Sequence, residues 1–399
     1  MIAENTSVWV RAGVVYAAVI LGLAGLPALA DPMPGPFYEA SPAELKGPPG
    51  SIIRVEALPD SPVWYTKNYK ILYRSTGLDG QPIAVSGLMV VPTAAVPSGG
   101  HPVLAWAHPT TGVADKCAPS LHELEAVEKI PGLAEAVKDG FVVVATDYPG
   151  LGTAGEHPYL IGVSEARAVL DSVRAARELG KGSASFAVWG HSQGGHASLW
   201  TGQIAAEYAP ELKLVGVAAA APATELGALF DDDLSSIAGE GLTALTLWSW
   251  SQLYGYPLSQ VVLPAAEDAV ATIGHECLYG ISDLIEDKGA IDKIQVRGFL
   301  KADPVKTPPW AATIAANTPG GSPPGAPVFI AQGSADTVVD PPVTTAFASK
   351  LCRDGATVRF FEVPDANHTM IAKASASAAV EWIADRFAGK PAPTNCTKK

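Results

Sequence analysis

Gly190-His191-Ser192-Gln193-Gly194 stands between an apolar run at residues 186–189 and a helix-like run from His196 onward. A serine bracketed by glycines, with a strand before it and a helix after it, has the form of a nucleophile elbow. The turn is too tight for side chains at the flanking positions, and the hydroxyl stands clear of the sheet edge. In a chain with 39 glycines the pentapeptide alone is a weak signal, because a Gly-rich turn can equally cap a helix with a serine that bonds a backbone N–H. Its context decides between the two.

Working outward, residues 328–332 read as a strand and run into Gly333-Ser334-Ala335-Asp336, which sets a carboxylate on a loop just past a strand end. Asp340 lies four residues further on, but it precedes Pro341, and Asp-Pro is a good N-cap and N1 pair for a following helix. Asp336 is therefore preferred as the functional acid. Residues 358–363 form another strand-like run, followed by Pro364-Asp365-Ala366-Asn367-His368, and His368 is the only one of the 8 histidines after that acid. The order serine, aspartate, histidine is that of an α/β-hydrolase triad. It predicts Ser192 as nucleophile, His368 as general base and Asp336 as the group that orients the imidazole. An oxyanion hole needs backbone N–H donors. One falls on Gln193, after the nucleophile, and the second on Thr110 or Thr111, in the loop after the strand at 102–107; Pro109 has no N–H to give.

Further strands are expected at residues 69–75, 83–91, 141–146 and 214–219, and helices at 164–179, 195–208 and 372–387, all without internal proline. Alternating strands and helices predict a mostly parallel central sheet with helices on both faces, the α/β-hydrolase fold. The connection at 222–326 is far too long for one crossover. It is expected to form an inserted helical lid or cap on a core made of residues 31–221 and 327–399, the alternative being an accessory subdomain away from the site. Within it Leu245, Leu247, Trp248, Trp250 and Leu253 are too apolar to face water on every side, so some are expected to line an acyl channel or meet lipid.

Residues 1–30 carry Arg11, an uncharged stretch and Ala28-Leu29-Ala30 before Asp31, the form of a cleaved secretory signal peptide; Glu4 is atypical, and an uncleaved anchor is the alternative. The exported chain is expected to be soluble and secreted. Its four cysteines, Cys117, Cys277, Cys352 and Cys396, allow three disulfide connectivities. A formal net charge of −13 argues against nucleic-acid partners. With 48% hydrophobic and 17% charged residues, the chain suits a large core and an apolar substrate. The other histidines show neither HExxH nor tight ligand spacing, so no metal site is expected. Asp147-Tyr148-Pro149-Gly150-Leu151-Gly152 lacks a Walker lysine and reads as a turn. The sequons at Asn367 and Asn395 overlap residues with other work and are assigned no glycan.

Trp106-Ala107-His108, Cys117-Ala118-Pro119-Ser120, Asp147 to Gly152, the Ser192 pentapeptide and the spacing from Asp336 to His368 together resemble the secretory lipases of the Candida antarctica lipase A type, over roughly residues 40–390. The resemblance implies an α/β-hydrolase with a helical lid, a triad on Ser192, Asp336 and His368, and no metal or cofactor. It also implies disulfides Cys117–Cys277 and Cys352–Cys396. Pro109 stands where many hydrolases have glycine. The function expected is a secreted serine hydrolase of carboxylic esters, a triacylglycerol lipase or carboxylesterase acting on small-molecule or lipid esters with transient contact at a lipid interface. The alternatives are an acyltransferase or peptidase with the same triad, or a binding protein on a hydrolase scaffold.

Overall fold

The computed structural model describes residues 32–59, 63–233, 236–278 and 298–397. The expected signal peptide and part of the expected cap lie outside the described residues. Nine strands form one sheet: β1 (Ile52–Ala57), β2 (Thr66–Thr76), β3 (Pro82–Pro92), β4 (His101–Ala107), β5 (Val142–Thr146), β6 (Gly182–His191), β7 (Lys213–Ala220), β8 (Val328–Gly333) and β9 (Val358–Val363). Their order is β1-β2-β3-β5-β4-β6-β7-β8-β9. From β5 to β9 every neighbouring pair is parallel, and β1 to β3 form an antiparallel extension joined to β5.

Helices α1 (Leu124–Glu128), α2 (Leu133–Lys138), α3 (Gly162–Leu179) and α4 (Gln193–Tyr208) lie before β7. Between β7 and β8 come α5 (Leu226–Asp233), α6 (Ile237–Tyr254), α7 (Glu267–Gly274) and α8 (Trp310–Asn317), while α9 (Pro341–Arg353) follows β8 and α10 (His368–Phe387) follows β9. The inner strands read as continuous apolar runs because both their faces are covered. Val103, Ala105 and Ala107 of β4 enter one core with residues of α3, α4 and α9. Leu104 and Trp106 point the other way, into a core shared with α2, α10 and the helices between β7 and β8. Among the described residues no helix is long and apolar enough to cross a membrane.

Strand β1 was not expected from the sequence. It lies at the sheet edge and its last three residues are exposed, so it has no buried face to impose an alternating pattern. At the opposite edge the carboxyl-terminal tail covers β9. Asn395 N–H donates to the Val358 carbonyl at 3.2 Å, its Oδ1 accepts from Phe360 N at 2.8 Å and its Nδ2 donates to the Phe360 carbonyl at 2.8 Å. Disulfides join Cys117 to Cys277 and Cys352 to Cys396. In the chain-entropy model loops of 160 and 44 residues correspond to at most about 5 and about 4 kcal/mol.

The turn between β6 and α4 places Ser192 at φ 56° and ψ −117°, a conformation that costs a non-glycine residue of order 1–3 kcal/mol. Packing enforces it. A Cβ on Gly190 would stand 2.1 Å from the Gly194 carbonyl oxygen, and one on Gly194 would stand 1.9 Å from that of Ala107 in β4. Both obstacles are backbone, which cannot swing aside. Gly194→Ala is expected to cost at least about 3 kcal/mol, measured by denaturant unfolding; a loss below about 1 kcal/mol would show that helix and strand can part without penalty.

Candidate active site

Three loops at the carboxyl ends of parallel strands bring Ser192, Asp336 and His368 together. Ser192 Oγ lies 2.9 Å from His368 Nε2, and His368 Nδ1 lies 2.8 Å from Asp336 Oδ2. Asn367 caps α10 with its side chain, accepting from Met370 N, so the histidine occupies the first residue of a helix whose start is fixed. Asp336 is held from all sides: Oδ1 accepts from the N–H groups of Val338 and Val339, both at 2.9 Å, and Oδ2 accepts from Gln332 Nε2 at 3.2 Å. Burial alone would raise its pKa, but the bonds from His368 and the two N–H groups hold the carboxyl below its ordinary value. Asp340 instead precedes α9, and its side chain makes no capping bond.

Gln193 opens α4, so its N–H has no intrahelical acceptor. Thr110 and Thr111 lie across the site, with Thr110 Oγ1 2.7 Å from the Tyr159 hydroxyl. The Thr111 carbonyl accepts from Leu278 N at 2.9 Å, and Gly112 bridges to Cys277. The 117–277 disulfide thus ties a segment of the long insertion to this loop. The His191 ring lies tilted against that of His368, centroids 4.8 Å apart; burial and the neighbouring His368 push it down to about 3, which keeps it neutral.

Ser192, 9% exposed, opens on a cavity of about 860 Å³ with walls that include Trp106, Leu133, Leu242 and Leu278. None of the five side chains of the apolar run in α6 lines this cavity, and Trp248 and Leu253 pack, partly buried, against the core. Leu245, Leu247 and Trp250 are fully buried, Trp250 Nε1 donates to the Tyr159 carbonyl, and Trp248 packs against Gly274 and His275. These side chains hold helices together, and it is Leu242 that reaches the cavity from α6. Among the described residues no group of three or more histidine, cysteine or acidic side chains could hold a metal.

Strand order, elbow and hydrogen-bonded relay are those of an α/β-hydrolase. The secretory lipase profile matches residues 128–395, and the chain belongs to that family; it is a carboxylic ester hydrolase. A Mycobacterium tuberculosis protein described as a probable inactive lipase is 28% identical over 90% of this chain and 83% of its own. Lipase A of Arthroderma benhamiae is 27% identical over 92% and 81%. The closed-state structure of Candida antarctica lipase A superimposes with a TM-score of 0.77 at 20% identity, covering 92% of this chain and 89% of that one, a likeness of fold.

Gln332 beside Asp336 and Tyr159 beside Thr110 carried no sequence signal, and Asp147, in the loop after β5, was marked only as the start of a turn and as part of the resemblance, with no role of its own. Asp147 accepts from Ser86 Oγ at 2.6 Å, from Ser120 N at 3.0 Å and from Ser120 Oγ, which pins the Cys117–Ser120 turn against the sheet. Burial nevertheless pushes Asp147 up to about 6. Because the folded protein binds this proton more tightly than the unfolded chain, the associated stability is full below about pH 4 and is lost as pH rises through about 6. The span is about 3 kcal/mol. Asp171, also raised to about 6, titrates in the same window, so the contrast with Asp147→Asn isolates one group. His157 and His191, lowered to about 4 and about 3, add stability as pH rises over the same range, so the expected outcome is a difference: the stability of the variant relative to wild type rises between pH 4 and 7, read by thermal unfolding across pH, and a constant difference would show that Asp147 is ionised throughout.

Proposed function

We propose that the protein is a secreted serine hydrolase that cleaves acyl esters, triacylglycerols among them, through an acyl-enzyme on Ser192. The observation that carries the reading is the relay from Ser192 Oγ through His368 to Asp336, with bonds of 2.9 and 2.8 Å, at the wall of a largely apolar cavity. Ser192 attacks the ester carbonyl while His368 Nε2 takes its proton. Asp336, held ionised, keeps the Nδ1–H tautomer and stabilises the imidazolium. The Gln193 N–H, with that of Thr110 or Thr111, receives the developing oxyanion. His368 then protonates the leaving alcohol, and water activated by the same imidazole releases the acid.

Residues 1–30 are the signal that sends the chain out of the cell, which agrees with four cysteines paired in two disulfides. Residues 222–326 are the cap. The contribution of Leu242 and Leu278 to the cavity wall supports that assignment, as does the tether at Cys277.

A fluorophosphonate probe should label the wild-type protein at Ser192, and Ser192→Ala should lower kcat toward a short p-nitrophenyl ester by about 10⁴- to 10⁶-fold with the fold intact. His368→Ala should cost nearly as much, and the double variant little more, since the two act as a unit. Parental turnover by purified Ser192→Ala would reject the reading. A series of p-nitrophenyl esters and triacylglycerols of increasing chain length then defines the acyl preference.

A further inference from the structure

A second pairing of carboxylate and imidazole lies one helical turn past Ser192, and none of the steps above uses it. Glu165 on α3 and His196 on α4 have fully buried side chains, with Glu165 Oε2 2.6 Å from His196 Nδ1. His196 Nε2 lies 2.8 Å from the backbone carbonyl of Asn317, at the end of α8. A carbonyl can only accept, so Nε2 carries a proton, and the contact between Nδ1 and Oε2 holds another. That second proton sits on the ring, giving imidazolium and carboxylate, or on the acid, giving two neutral groups. In both cases the net charge of the pair is zero.

The other oxygen of the carboxylate, Oε1, accepts from Gln193 Nε2 at 3.0 Å. The second hydrogen of that amide faces His157 Nε2 at 3.1 Å, while His157 Nδ1 lies 2.8 Å from the Pro149 carbonyl. Burial pushes His157 down to about 4, as suits a neutral ring that donates at Nδ1 and accepts at Nε2. The residue whose N–H faces the oxyanion is therefore clamped through its own side chain.

His108, Tyr148 and His157 also feel the charge of Glu165, and burial favours the uncharged form of each, lowering the two histidines and raising the tyrosine. Among the described residues His196 is the ion-pair partner of Glu165. Left bare, this carboxylate would sit one glutamine side chain from the developing oxyanion. At an effective dielectric of about 20 such a charge slows the reaction on the order of 30-fold.

We propose that Glu165 and His196 are a charge-neutral positioning pair for the oxyanion donor: Glu165 orients Gln193, and the proton shared with His196 cancels the negative charge that this orientation would otherwise set beneath the transition state. The inference rests on reading Ser192 as nucleophile and Gln193 as donor.

A double-mutant cycle on His196→Asn and Glu165→Gln, with kcat and KM for p-nitrophenyl butyrate measured separately, tests it. Glutamine at 165 can accept from Gln193 through its carbonyl and donate to a neutral His196 through its amide, so the bonds and the zero charge survive together. His196→Asn strands the carboxylate. The expected result is a fall in kcat of about 30-fold for His196→Asn with KM changed less than about threefold, and recovery of about tenfold when Glu165→Gln is added. Parental kcat in His196→Asn, or a double variant no faster than that single one, overturns the proposal, since mere packing gives losses that add. If His196→Asn does not fold, a double variant that folds and turns over supports the proposal, and one that also fails to fold overturns it. Wild-type protein that resists the fluorophosphonate probe overturns the serine reading itself, and the pair's role with it, before any variant is made.

Discussion

The close approach of the first turn of α4 to strand β4 governs the arrangement of the site. With no side chain at Gly194, the helix backbone descends onto the Ala107 carbonyl, and the chain leaving β6 can meet that helix only by turning sharply at Ser192. The positive φ that results is paid for by hydrogen bonds on both sides of the serine: its N–H donates to the Ala220 carbonyl, and its own carbonyl accepts from His196 and Ala223. The Cα–Cβ direction of the serine is thereby fixed by main chain alone, and His368 holds the hydroxyl at its end. Its position follows from the sheet, and the loops bearing His368 and Asp336 need only reach a point that β4, β6 and β7 have already set.

Charge around that point is managed by two devices of opposite kind. Asp336 is buried yet surrounded by donors, two of them main-chain N–H groups, so ionisation is stabilised and the orientation of His368 is rigid. The histidines and tyrosines nearby are instead desolvated with few charged partners and stay neutral. A charged relay whose nearest aromatic neighbours stay neutral suits chemistry in which negative charge appears briefly on a substrate oxygen and must be met by fixed dipoles, not by mobile counter-ions.

How much of this could be read from sequence followed the range of the interactions. The inner strands were legible because burial on both faces writes itself into continuous apolar runs, and the elbow because its glycines serve a local steric need. Asp336 and His368 were legible by their place just after strand ends. The disulfide partners were not separable from spacing, which left three pairings open; family resemblance supplied the pairing found here. Gln332, Tyr159, Glu165 and His157 act through side chains of ordinary type, some meeting partners 28 to 49 residues away or, like Gln332, close by with no motif to mark them. The choice between Thr110 and Thr111 depends on backbone orientation within one loop, which residue type does not encode. Strand β1 was missed for the opposite reason, since half-exposed residues leave little hydrophobic pattern.

The tail over β9 gives the compartment in which the protein folds a direct bearing on its solubility. An open sheet edge offers unpaired main-chain groups to any other extended chain, and here Asn395 occupies those of Val358 and Phe360, held within reach by the bond between Cys352 and Cys396. Made in a reducing cytosol, the chain would hold this cover only by a few exchangeable hydrogen bonds. Recombinant production in the periplasm or the endoplasmic reticulum therefore matters for keeping molecules apart as much as for keeping each one folded, and clumping is the symptom to look for when oxidation is incomplete.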